Sequence, residues 1–422
     1  MAAEPVVARD VDFIEEMDRG YGADRVRDPY PVFHELRRQS PVYVGHLGQK
    51  LGLPSRIPTD QLPPAFAALG HDAVSEVLRD SERFSSEVYA RSIGVVMGRN
   101  ILGMDEPEHG GFRKLLQSGF TRRALDRWEQ DVIRPVVEGM VDTFAARGRA
   151  DLMRELTFPF PVTVIARMLG LPEADLPRFH RWAIDLISIG FDWQRAHRAS
   201  SALGEYFGGI LAERRREPRD DLVSALAVAE IDGNRLGDEE IIAFLRLLLP
   251  AGAETTYRSS SNLLFGLLTH PDQLEALRRD RGLIPQAIEE GLRWEPPLSI
   301  IVRMATRDTE LAGVPIPQGA MVTVNLAAAN HDEARYEDPE RFDIHRPARQ
   351  HMAFGFGPHR CLGMHLARIE TQVALETLMD RLPGLRLDPD ARDVHIRGLV
   401  FRSPNALPVL FDPARAPAAR RA

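Results

Sequence analysis

Along most of the chain, apolar positions recur at helical spacing, and strict alternation is confined to short stretches. Asp28 to Gln39 opens as Asp-Pro-Tyr-Pro and continues as a short amphipathic helix. Pro41 to Gly45 reads as a strand and His71 to Arg79 as a second helix, while Leu51 to Pro64 is rich in Pro and Gly and reads as an irregular insertion. Ser85 to Gly103 is glycine-punctuated and lightly apolar, which predicts a long loop of the kind that carries function. From Thr121 to about Gly233 helical patterns dominate, broken at Pro159, Pro161, Pro172 and Pro218. The basic run Arg214-Arg215-Arg216 in this region reads as a solvated helix end.

The longest periodic run spans Glu239 to His270, with Asp238 as a candidate N-cap and Pro271 as the stop. Its 32 residues would measure roughly 48 Å as one helix, enough to cross a whole domain. The first half is apolar almost all round (Ile241, Ile242, Phe244, Leu245, Leu247, Leu248, Leu249), which predicts burial on every side. In the middle stands Pro250-Ala251-Gly252-Ala253-Glu254-Thr255-Thr256. Pro250 has no N–H for the Arg246 carbonyl, and Gly252 loosens the backbone two residues later, so a kink is expected. Glu254 either turns to solvent at a packing kink or is a buried acid, which is costly without a role. Gly252 and Thr255, three apart, are expected to share a face.

Beyond this run, Asp272–Arg281 and Pro285–Trp294 read as helices, and Ile300–Thr306, Glu310–Leu311 and Met321–Asn325 as strands. Asn330–Arg349 is a polar loop, a helix ends near Arg381, and Val394–Val400 and Leu407–Phe411 are short strands. Helices outnumber strands and no βαβ alternation exists, so the fold class is mainly α (α+β). The expected organisation is one large domain over 28–412, with an N-terminal extension, 1–27, and a disordered tail, 413–422. A hydrophobic content of 44% supports a sizeable core. No apolar run is long enough for a membrane span, and the first residues lack the apolar region of a secretory signal. A net charge of −8 argues against nucleic acid, and a single cysteine fits a reducing cytoplasm.

That cysteine, Cys361, has no thiol partner for a disulfide or a Cys-rich zinc site. On the residues alone it is either a small buried apolar side chain or a ligating thiolate. Its surroundings, Phe354-Gly355-Phe356-Gly357-Pro358-His359-Arg360-Cys361-Leu362-Gly363, favour the second. Glycines permit a sharp turn against a flat ligand, and a turn feeding a helix N-terminus presents N–H groups that lower a thiol pKa. The segment resembles the haem-ligand loop of the cytochrome P-450 enzymes, Phe-x-x-Gly-x-x-x-Cys-x-Gly. Phe354, Gly357, Cys361 and Gly363 match, with His359 where many bacterial members carry His.

The resemblance extends along the chain and implies a soluble bacterial-type haem-thiolate monooxygenase, with haem b (iron protoporphyrin IX) ligated by Cys361 between the central long helix and the Cys-ligand helix. Ala251, Gly252, Glu254 and Thr255 fit the family's oxygen-binding helix, which implies that Thr255 hydrogen-bonds in an O2 groove and that Glu254 relays protons. His109 and Arg113, taken alone an ordinary surface pair, resemble the family's pair beside the haem propionates; Arg303 and His359 are the further implied cations. Glu290 and Arg293 match the Glu-x-x-Arg signature and Arg341 its third member, a structural set. By family position the substrate pocket draws on Val95, Val96, Leu247, Leu248, Ala251, Leu298, Ile301, Val400 and Phe401, each of which serves equally as core packing. Arg402 is either a partner for a substrate carboxylate or a surface residue. Because these positions are apolar, an apolar small organic substrate is expected. No dinucleotide, flavin or iron–sulfur motif is present, so electrons are expected from a separate ferredoxin with its flavin reductase, docking near Lys114, Arg122, Arg123 and Arg360. A peroxide-driven peroxygenase and a non-catalytic haem protein are the competing readings; Glu254 and Thr255 argue against the first.

Overall fold

The structure is a computed structural model that describes residues 15–54 and 64–413, apart from 17, 21, 191 and 232. Most of the expected insertion (55–63) and all but the first residue of the expected tail lie outside the described residues.

Helix Tyr30–Gln39 starts with Pro31 in its first turn, where a missing N–H costs nothing, and buries Tyr30, Phe33 and Leu36. The predicted helix His71–Arg79 forms over those same residues. The main sheet has five strands, in the order Val42–Val44, Ala65–Ala68, Met321–Asn325, Ile300–Ala305, Phe84–Ser85. Its central pair is antiparallel, with Val324 opposite Ile301 and Val322 opposite Arg303. Side chains alternate across a sheet, so Ile301 and Arg303 point to the same face.

The large apolar core lies in the helical part and gathers Phe144, Phe160, Phe207, Tyr257, Leu267 and Val373. Through it runs the central helix, as Asp238–Leu249, a wide π turn at Pro250–Glu254, and Thr255–Thr269. The expected kink is therefore a π turn: Pro250 cannot return a hydrogen bond one turn back, and the backbone widens around it. Burial on every side belongs to the second half rather than the first, since Thr256 to Leu264 are all buried. Composition hid this because the buried positions are polar and find partners on neighbouring elements. Ser261 Oγ lies 2.7 Å from Thr157 Oγ1, Ser260 Oγ 3.2 Å from Thr371 Oγ1, and Asn262 Nδ2 donates to the carbonyl oxygens of Glu295 and Arg402.

Further expectations are corrected. The 85–103 stretch carries a short helix, Ile93–Met97, between two 3-10 turns. Gly237, not Asp238, is the N-cap: Glu240 accepts from its N–H at 2.8 Å, while the Asp238 carboxylate is held by Arg215. Arg214 is not solvated; its side chain is 1% exposed and paired with Asp221. The expected late strands are shorter, Ile396–Arg397 and Pro408–Leu410, the latter pairing with Arg149–Asp151, and Arg386–Leu387 and Ser403–Pro404 form as well. Within the expected N-terminal extension, Asp18, Ala23 and Val26 are buried.

Candidate active site

The Cys361 loop is a set of tight turns laid against the end of helix His71–Arg79. Gly355 N donates to the Met352 carbonyl, and Cys361 N to that of Phe354, both at 2.8 Å. Gly355 and Gly357 have φ of +66° and +70°, the left-handed region open to glycine. A Cβ on Gly357 would sit 2.3 Å from the Leu78 carbonyl oxygen, so this glycine is demanded by the protein's own backbone. Cys361 lies three residues ahead of helix Met364–Arg381, whose N-cap is Gly363. Burial pushes the thiol pKa up; the Gly363 N–H and the charges of Arg113, Arg368 and Arg360 pull it down without prevailing. The expected lowering by the turn is thus outweighed: by itself the thiol stays protonated, and it would become a thiolate only with a metal cation on the sulfur.

Beside the loop, cationic and imidazole groups converge. His109 is buried; its Nδ1 lies 2.9 Å from Glu106, and its Nε2 is buried with no partner among the described residues. The ring is 3.9 Å from that of His359, whose Nε2 reaches Ser86 Oγ at 3.1 Å. Burial, reinforced by His109 and Arg303, lowers the His359 pKa to about 3. Burial also lowers the pKa of Arg113 and of Arg303. Among the described residues neither arginine is paired with a carboxylate, and the nearby Asp105 is taken by Ser85 and by the Ser86 N–H. Uncompensated positive charge around an orphaned imidazole nitrogen suits a ligand bearing carboxylates.

At the π turn Ala251 is exposed, and Gly252 and Thr255 are half-buried, within an otherwise buried stretch. Thr255 Oγ1 donates to the Ala251 carbonyl at 2.7 Å. Ala251 and Thr255 therefore form the linked pair here, whereas Gly252 faces Ile165, 3.0 Å from where a Cβ would stand. Glu254 is 3% exposed and turns inward to Arg258, which donates to it at 3.3 Å. Arg258 also donates to Asp18 at 3.0 Å and Ser403 at 2.8 Å, and Arg397 to Asp18 at 3.4 Å. Burial pushes Glu254 up to about 7; Arg258 opposes the rise and Asp18 adds to it. A second buried acid, Glu370 on the Cys-ligand helix, is raised by burial to about 8 against a hydrogen bond from Thr256. Sequence reasoning missed Asp18, Arg258 and Glu370. Only Arg258 had a local signal, four residues after Glu254.

Comparison with known proteins supplies the deciding observation. The family model for cytochrome P450 matches residues 173–389. Over 398 residues the chain is 36% identical to the cytochrome P450 monooxygenase PikC of Streptomyces venezuelae, covering 92% of each protein. The chain belongs to the cytochrome P450 family. The fold agrees with solved P450 structures. One is CYP109Q5 from Chondromyces apiculatus (TM-score 0.82, 36% identity, 92% of this chain and 97% of that one). Another is CYP109E1 from Bacillus megaterium in complex with testosterone (TM-score 0.81, 32% identity, 91% and 99%). The protein is a P450 monooxygenase of bacterial type, a haem family, and no helix among its described residues is long and apolar enough to cross a membrane.

In this P450 the Glu290–Arg293 pair is buried and bidentate, at 2.7 and 2.8 Å. The third member is Arg346, not Arg341. Arg346 Nε donates to Glu290 at 3.3 Å, and its other nitrogens hold the carbonyls of Glu337 and Asp338. The Arg341 side chain is 61% exposed and pairs with Asp343; its backbone carbonyl alone joins the network. Arg402 is neither a surface residue nor free for a substrate: it is 2% exposed and bidentate to Glu295, at 2.8 and 3.1 Å.

The structure joins part of the expected pocket. Leu298 bridges to Phe401, the Ser299 N–H donates to the Val400 carbonyl, and Ile301 lies on the neighbouring strand. Leu247 is buried and Leu248 half-buried on the central helix. Val96 is buried, but Val95 is 59% exposed on the same short helix. Lys114, Arg122 and Arg123 are exposed, Arg122 in a pair with Asp126, and Arg360 is half-buried.

Proposed function

We propose that this P450 inserts one atom of O2 into an apolar small organic molecule, using haem b bound through Cys361 and electrons from a separate ferredoxin and flavin reductase. The observation that carries the reading is the π turn, where the Thr255 hydroxyl stands next in sequence to an acid that titrates near neutrality. Bound haem supplies the redox chemistry by which dioxygen is reduced and a C–H bond oxidised. The chain does the rest. The Cys361 sulfur would ligate the haem iron, with Phe354, Gly357 and Gly363 shaping its loop. His109, Arg113, Arg303 and His359 would hold the propionate carboxylates; the His109 Nε2 has no partner among the described residues.

Thr255 would turn its hydroxyl from the Ala251 carbonyl to donate into the groove, where the small Ala251 side chain keeps the wall low and Gly252, packed toward Ile165, loosens the turn behind it. Glu254, on the far side of the same turn and held by Arg258, takes up and releases a proton near neutral pH and would serve as the proton relay. The apolar walls would be Leu247, Leu248, Leu298, Ile301, Val400 and Phe401, with Val96 and Val95 on the short helix Ile93–Met97. The solved testosterone complex of CYP109E1 supports a bulky apolar substrate class. Lys114, Arg122, Arg123 and Arg360 are the docking cations for an acidic ferredoxin. A cytoplasmic location accompanies this reading, since the ferredoxin donor works there and a lone thiol fits a reducing compartment.

The test is a pair of measurements on the haem-loaded protein. The reduced carbon monoxide spectrum should be that of sulfur-ligated iron and change to a histidine-type spectrum in Cys361→His. Product should form with O2, ferredoxin and reductase and fall by about 10²-fold or more in Thr255→Ala, with electrons diverted to hydrogen peroxide. Equal product from hydrogen peroxide alone would replace the reading with a peroxygenase, and binding without product would make the protein a haem-based ligand carrier.

A further inference from the structure

Away from the haem region, two histidines and a glutamate converge where helix Tyr30–Gln39 meets the irregular segment after helix Leu326–Asn330. His34, His331 and Glu340 place one ligating atom each within 4.8 Å of one another. His34 Nε2 is 2.5 Å and His331 Nδ1 2.9 Å from the same oxygen, Glu340 Oε1.

The far nitrogen of each ring decides what the near nitrogen offers. His331 Nε2 lies 2.7 Å from the Trp294 carbonyl, which can only accept, so in the neutral ring Nε2 carries the hydrogen and Nδ1 presents a lone pair. His34 Nδ1 faces Glu333 Oε1 at 2.8 Å and Arg37 Nη2, also at 2.8 Å. The hydrogens on Arg37 Nη2 are claimed by two pure acceptors, Glu333 Oε2 at 2.5 Å and the His331 carbonyl at 2.8 Å. His34 Nδ1 is then the donor to Glu333, and in the neutral ring its Nε2 also presents a lone pair. In the neutral rings two imidazole lone pairs and one carboxylate oxygen thus meet with no hydrogen between them, so the cluster holds either added protons or a metal cation at its centre; the hydrogen bond to Glu340, which raises the His34 pKa, marks a centre that attracts positive charge of either kind.

We propose that His34, His331 and Glu340 form a divalent metal site of zinc type that clips the N-terminal helix to the segment carrying the Glu290–Arg293 network. Two imidazole nitrogens and a carboxylate suit zinc among the divalent metals. A carboxylate behind one ligating histidine and a backbone carbonyl behind the other are the outer partners such ligands use. The His331 ring is further fixed by Tyr30, stacked at 4.0 Å and 19°, whose hydroxyl donates to Glu295 at 3.0 Å. The Glu340 side chain is 49% exposed, free to draw back to metal–ligand distance and to leave a fourth position for water. The clip bears on the domain because the Asn330 and Pro339 carbonyls, at either end of this segment, both accept from Arg293.

The test uses the full-length haem-loaded protein, stripped with a chelator and titrated with zinc chloride near pH 7.5. Bound metal is counted after gel filtration, and the melting temperature is followed. One zinc per chain should bind and raise the melting temperature. His34→Gln and Glu340→Gln should each weaken binding by about tenfold or more, and Glu333→Gln by about tenfold. His197→Gln, exposed on another helix, should change nothing. An unchanged carbon monoxide spectrum in every variant certifies the fold. Wild-type protein that binds no zinc overturns the site, leaving protons as the cation in the cluster; so does equal zinc uptake by wild type, His34→Gln and Glu340→Gln.

Discussion

Replacing Glu254 by Gln keeps the side chain's shape and removes its ionisation. In the folded protein this acid titrates near 7, against an ordinary value of 4.5, chiefly because burial disfavours the carboxylate. Between those two pH values the folded chain holds a proton that the unfolded chain has released. The stability from that proton is fully present below about 4.5 and is lost as pH rises to about 7. At about 1.4 kcal/mol per pH unit, wild type should lose about 2–3 kcal/mol more than Glu254→Gln between pH 5 and pH 8. Every other titrating group is common to both proteins, so the difference between their pH profiles isolates this one. The assay is urea denaturation of both proteins at pH 5, 6, 7 and 8 with matched denaturant slopes. Parallel profiles would refute the assignment of Glu254 as a buried acid poised near neutrality. Asp18→Asn supplies an internal check. Removing that like charge should move the wild-type transition to lower pH, since Asp18 acts to raise Glu254.

Glu290→Ala leaves buried Arg293 and half-buried Arg346 without their carboxylate and should cost about 3–5 kcal/mol in denaturant titration. Arg341→Ala, at an exposed side chain, should stay within about 0.5 kcal/mol, which separates the observed triad from the one expected at Arg341. Glu295→Ala should be comparably damaging, because it strands buried Arg402; melting with haem retention reads this out. Gly357→Ala combines a left-handed backbone with a Cβ 2.3 Å from the Leu78 oxygen, so a fall of several degrees in melting temperature and weaker haem retention are expected.

The chain's short-range chemistry could be read without a structure. The Phe354–Gly363 turn, the Glu290–Arg293 pair and the Pro250–Thr256 interruption depend on residues within a turn or two of each other, where backbone geometry alone fixes who meets whom. So did the succession of helices and the strand at Met321–Asn325, through apolar periodicity. Tertiary structure decided where the charges went. Arg402 finds Glu295 107 residues away, and Arg258 finds Asp18 across 240 residues. Arg346 displaces Arg341 as the partner of Glu290, although both lie in the same irregular segment. A charged side chain has no preferred partner in a sequence. It acquires one only when folding removes its water and leaves an ion pair as the affordable way to stay buried. The same reason hid the second half of the central helix, whose serines, threonine and asparagine look solvent-facing until the elements that satisfy them close around it.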